Sequence, residues 1–109
     1  MRCLPLMPVV ALSCVSTSVA RLSPATYEPR SEQAPIPLYS AQLPTCAFKE
    51  IAIVKARRET WMVSADAAVD ALRKKARSMG GDALVRVGFG PGREITGTVI
   101  RFEREDCTQ

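Results

Sequence analysis

The sequence predicts one small α+β domain, a βαββ unit of the split βαβ kind, with a single helix on a three- to four-stranded sheet. Three observations predict it. Residues 48–56 (FKEIAIVKA) are dense in Ile and Val with apolar residues on both faces, as in an inner strand. Ala65, Ala68, Val69, Leu72, Ala76 and Met79 recur at helical spacing between Ser64, a good N-cap, and Gly80-Gly81, a helix stop. Two further β-rich runs, 83–89 (ALVRVGF) and 95–104 (ITGTVIRFER), follow with a Gly- and Pro-bearing turn between them.

The N-terminus reads as a signal. Met1-Arg2 is a short positive start, and residues 3–13 (CLPLMPVVALS) are uncharged and mostly apolar. That stretch is too short to span a bilayer, which takes ~20 apolar residues. Pro5, Pro8 and the change to Ser and Thr after Cys14 argue against a core strand or helix there. Two processing chemistries fit. Residues 11–14 (ALSC) look like a lipobox, with signal 1–13 removed and Cys14 acylated as the new N-terminus. Ser18-Val19-Ala20 instead offers the small residues that signal peptidase I reads, giving a signal of 1–20 and cleavage before Arg21.

Residues 14–44 are predicted to be an extended spacer, since five of the eight prolines (Pro24, Pro29, Pro35, Pro37 and Pro44) fall there. Its apolar cluster of Ile36, Leu38 and Tyr39 is a candidate edge strand, where Pro is tolerated. The folded domain is 45–109. In the connection after the first inner strand, Trp61 and Met62 could cap the core or form a contact patch, and the core is the expected place because a lone Trp is usually mostly buried. In the helix, Asp66 and Asp70 precede Arg73, Lys74, Lys75 and Arg77, an order that complements the helix dipole and makes the basic run a solvated helix face. Residues 88–92 (GFGPG) resemble a phosphate-cradling loop only on the surface: a strand follows where a helix would be required, so they are a hairpin turn.

A helical crossover makes the strands at 48–56 and 83–89 parallel, and the hairpin makes the last strand antiparallel to the second. Once Cys3 leaves with the signal and Cys14 is acylated, Cys46 and Cys107 remain as a disulfide pair in an oxidising compartment. That bond brings the start of the first of these strands beside the end of the last. The last strand then lies in the middle, order 1-3-2, and Gly97 within it signals a bulge or a close approach of helix to sheet.

The chain has 109 residues, 47% hydrophobic and 24% charged, which allows one globular domain and excludes a protein of several membrane spans. The net charge of +4 is modest. Its densest run, Arg73, Lys74, Lys75 and Arg77, could meet anionic lipid headgroups or a polyanion, but a solvated helix face is the commoner case and export argues against nucleic acid. Histidine is absent, which removes the commonest general base and the commonest metal ligand. No paired nucleophile and base is visible, so an enzyme is not expected, nor is a cofactor.

Residues 71–85 (ALRKKARSMGGDALV) resemble a motif of small bacterial envelope proteins in which a helix ends in a small residue and a Leu-Gly-Ala-Asp/Asn-Ala turn feeds an apolar strand. Residues 96–102 (TGTVIRF) resemble the Gly-Thr-Ala-Val strand that closes the same unit. Together they look like the YbjQ-type domain and the related lipoproteins that include the Rcs envelope-stress sensor, and residues 14–22 (CVSTSVARL) are similar to text after the lipobox of such lipoproteins. Gly81 stands where that family has Ala, expected to do no more than loosen the helix end. The resemblance implies a cell-envelope lipoprotein, in the outer membrane facing the periplasm, held by a lipid on Cys14 and acting as a non-enzymatic binding or sensing module for an envelope protein partner. Two alternatives remain: a plain secreted periplasmic domain, or a metal-binding protein using Cys46, Cys107, Glu105 and Asp106 after reduction.

Overall fold

The computed structural model describes residues 15–59, 62–104 and 107; the signal 1–13, Cys14, Trp61, Glu105 and Asp106 lie outside the described residues. Six elements run β1 (Val15–Arg21), β2 (Leu38–Tyr39), β3 (Phe48–Arg58), α1 (Ala65–Ser78), β4 (Ala83–Phe89) and β5 (Glu94–Phe102). The strands form one mixed sheet in the order β1-β3-β5-β4-β2. The βαββ core is β3-α1-β4-β5, and β5 lies between β3 and β4, antiparallel to both, as the 1-3-2 order requires. The two residues of β2 add a parallel edge strand on β4, from the predicted Ile36–Tyr39 cluster.

The sheet has five strands rather than three or four. The addition is β1, which falls in the predicted spacer and pairs along its whole length with β3, from Val15 opposite Arg58 to Arg21 opposite Ala52. Its composition, VSTSVAR, suits a strand paired on one side only. Six of its seven residues are exposed, and only Val15 packs against the helix-side core. Backbone pairing holds it more than burial does.

Helix α1 covers one face. Ser64 caps it, its hydroxyl accepting from the Ala67 N–H at 3.2 Å. Ala68, Leu72 and Ala76 are fully buried against Ala52, Val54, Ala56, Leu84, Ile95 and Val99 of the sheet. Burying a side chain the size of Leu72 contributes roughly 1.5–3 kcal/mol. The helix closes in a Schellman turn: Gly80 N–H donates to Arg77 O and Gly81 N–H to Ala76 O, with Gly80 at φ +79°. Gly81 does more than end the helix. A Cβ there would collide with Val99 Cγ1 and lie 3.2 Å from Ala76 O, so helix end and β5 meet at a site where the Ala of the resembling family does not fit.

Gly97 sits opposite a bulge. Val85 pairs with Thr98 and Gly88 with Thr96, so Arg86 and Val87 together oppose Gly97. Arg86 takes the left-handed conformation, φ +54°, and its guanidinium pairs with Glu50 of β3. The other sheet face carries a smaller cluster of Ala83, Val85 and Ile100 with Tyr39, Phe48 and Phe102. At this end Cys46, before β3, is bonded to Cys107, after β5, with Cα atoms 6.2 Å apart.

Candidate functional site

The chain from residue 22 to 37 is a strap rather than a free spacer. It joins β1 at one sheet edge to β2 at the other, passing the C-terminal end of α1 with Ile36 in the helix-side core. A Pro-rich segment makes few internal hydrogen bonds, here Ala34 N–H to Ser31 O at 3.0 Å among them, so most of its carbonyls need outside donors. Helix α1 supplies them: Arg77 Nε donates to Ala34 O at 2.7 Å and Arg73 Nε to Ile36 O at 3.2 Å. Arg30 N–H in turn donates to Arg77 O at 2.7 Å, and Leu84 N–H to Pro37 O at 3.0 Å. The basic run, expected as a solvated face, is thus divided. Arg73 and Arg77 grip the strap, while Lys74 is exposed.

Between the strap and the end of the sheet lies an open groove of about 620 Å³. Arg30, Pro35 and Pro37 line it from the strap, Asp82 from the turn before β4, and Arg101, Phe102, Arg104 and Cys107 from β5 and its extension. A smaller hollow of about 370 Å³, with Tyr27, Lys49 and Glu103, adjoins it across Arg101 and Phe102.

The side chains are pre-positioned by the fold. Asp82 Oδ2 accepts the Phe102 N–H at 2.8 Å, and Oδ1 pairs with Arg30. Both carboxylate oxygens are therefore engaged, and Asp82 is a clip rather than a spare base. Arg101 lies over the Tyr27 ring, 4.2 Å from its centre, and donates to Gly80 O at 2.6 Å. Arg30 Nε is buried without a protein acceptor. The wall of three guanidiniums and one carboxylate, beside Phe102 and two prolines, suits an anionic group carried on an apolar body.

Of the residues singled out in the sequence, Cys46 and Cys107 come together and Cys107 borders the groove. Joined, their sulfurs are not thiolate ligands, and among the described residues no three Cys, Asp or Glu converge as a metal site. Cys14, Glu105 and Asp106 lie outside the described residues. Met62, expected in the core, is instead 77% exposed. The groove arginines escaped the sequence reading because they come from positions 30, 101 and 104. Their one local signal was Asp82 after Gly81, an acid at a strand start that needs a cationic partner.

No family model and no curated protein matches the chain. Among solved structures, the crystal structure of a Francisella virulence factor, FvfA, in its orthorhombic form is similar in fold: TM-score 0.55 at 12% identity, over 83% of this chain and 99% of that one. At that identity the likeness concerns the fold alone. Among the described residues no helix is long and apolar enough to cross a membrane.

Proposed function

We propose that the chain is a non-enzymatic lipoprotein of the cell envelope, a YbjQ-like binding or sensing module tethered through an acylated Cys14. It takes its ligand or partner in the arginine-lined groove. The supporting observation is the position of β1. Acylation at Cys14 leaves this strand whole, its first residue next to the anchor, whereas cleavage before Arg21 removes Val15 to Ala20 and leaves β3 an uncovered edge strand paired with β5 alone. The engaged state of Asp82 and the absence of histidine favour binding over catalysis. The resemblance to envelope lipoproteins rests on the short motifs at 71–85 and 96–102 and is part of the proposal.

Two measurements on protein made from its own gene test the reading. Mass spectrometry should find a diacyl or triacyl group on Cys14, lost in Cys14→Ala together with recovery in the membrane pellet. An unmodified N-terminus at Arg21 would sink the tether. Amide NMR titration with a short acidic peptide bearing an aromatic residue should move Arg30, Asp82, Arg101 and Phe102. Shifts scattered over the surface would sink the groove as the binding site.

A further inference from the structure

We infer that the end of the domain opposite the groove is a membrane-facing surface that rests on a lipid bilayer through Phe89 and Met62. The inference builds on the proposed tether at Cys14 and adds which way the domain faces.

The strands define two ends. Val15 pairs with Arg58 at the finish of β3, beside the β4–β5 hairpin and the start of α1, so the chain before Val15 leaves from that end. Phe48 pairs with Phe102 at the other end, where the groove lies. β3 has 11 residues, which at ~3.3 Å per residue separates the two ends by about 35 Å. A lipid on residue 14 therefore anchors the hairpin end and holds the groove at its far reach.

The two most exposed large apolar side chains among the described residues are both at the hairpin end: Met62 at 77% and Phe89 at 73%. They come from different segments, the loop after β3 and the end of β4, and Arg58 ties these segments together. Its N–H donates to Arg93 O at 3.2 Å and its Nη1 to Val63 O at 2.7 Å. The apolar pair is thus displayed on a braced platform, at the end of the domain where Cys14 precedes Val15 in the chain.

Charge decides the character of the contact. Arg57, Arg58 and Arg93 share this end with Glu59 and Asp66, and Lys55 pairs with Glu94 at 3.8 Å. With formal charges so nearly balanced, attraction to anionic headgroups is a minor contribution. The contact is one of apolar side chains entering the interface, and it should depend little on salt.

Trp61, the single tryptophan, adjoins Met62 in the chain and serves as a native reporter. The full-length protein, extracted from membranes and reconstituted into phosphatidylcholine–phosphatidylglycerol vesicles, is compared with and without bromine-labelled acyl chains. The expected result is quenching of Trp61 by the brominated lipid, changed little by salt and reduced by at least about half in Met62→Ser/Phe89→Ser. Both replaced side chains are exposed, so the melting temperature should stay within a few degrees of the parent's. Absence of quenching, or quenching unchanged in the double variant, overturns the membrane-facing assignment. Mass spectrometry of the same sample reports separately on the tether: an acylated Cys14 without quenching leaves the proposed function standing, and quenching without acylation refutes the tether but not the surface.

Discussion

Replacing Gly81 by Ala should destabilise the domain, although the same change in open space would help. Gly81 has no positive φ, so an Ala backbone fits there, and the reduced entropy of the unfolded chain would contribute about 0.4–1 kcal/mol in its favour. Against this stands the collision of the new Cβ with Val99 Cγ1. Val99 is fully buried and β-branched, so it has few rotamers to escape into, and Gly81 is bound to Ala76 O at 2.8 Å and cannot retreat without opening the Schellman turn. Overpacking of this kind costs about 1–3 kcal/mol, which outweighs the entropic gain. In a domain of this size the net loss lowers the melting temperature by roughly 4–8 °C per kcal/mol. Urea unfolding of Gly81→Ala, Val99→Ala and the double variant separates the contributions. Val99→Ala alone costs roughly 2 kcal/mol through lost apolar burial, and the double variant should be more stable than the sum of the two losses predicts. A neutral or stabilising Gly81→Ala, or strict additivity, would refute the idea that helix end and β5 meet at an atom's clearance here.

Reducing the Cys46–Cys107 bond, or Cys46→Ser, should cost about 4 kcal/mol by the loop-entropy estimate for the 61-residue separation, read as a fall in the urea midpoint. Asp82→Ala should cost about 1–3 kcal/mol, because the Phe102 N–H loses its acceptor, and should raise hydrogen exchange at Phe102 above that at Val99. Ser64→Ala removes the α1 N-cap and should cost about 1 kcal/mol by chemical denaturation. Arg77→Met should leave α1 intact while freeing the strap, seen as faster proteolysis between residues 22 and 37 at nearly unchanged circular dichroism.

The central unit was legible because its signals are local. The Ile-Val run of β3, the helical spacing ending at Gly80 and the Gly-Pro turn of the hairpin each lie within one stretch of chain, and the cysteines fix which strands are neighbours. β1 was not legible, since VSTSVAR has no alternation to mark a buried face and its place depends on pairing with residues more than thirty positions away. The bulge was announced by Gly97, but its left-handed residue is Arg86 on the partner strand, a residue type that gives no such warning. Arg73 and Arg77 followed the helix-dipole pattern so well that their second role, holding carbonyls 37 and 43 residues upstream, left no separate trace. Of the groove arginines, Arg30 is some seventy positions from Arg101 and Arg104 and reaches them only through the strap.

The central place of β5 also orders events in time. Among the described strands it comes last in the chain, yet it separates β3 from β4, so neither has its inner neighbour until residues 94–102 exist. Before that moment the nascent chain holds a helix and two strand pairs, β1 with β3 and β2 with β4, that lack the strand joining them into one sheet. The pairing of β5 with β3 is long-range, a topology that closes slowly. A polypeptide built this way stays open until residues 94–102 arrive, a property that would serve the export proposed above, since a translocation channel passes only unfolded chains. Any truncation before Glu94 should then yield a product for proteases rather than a smaller domain.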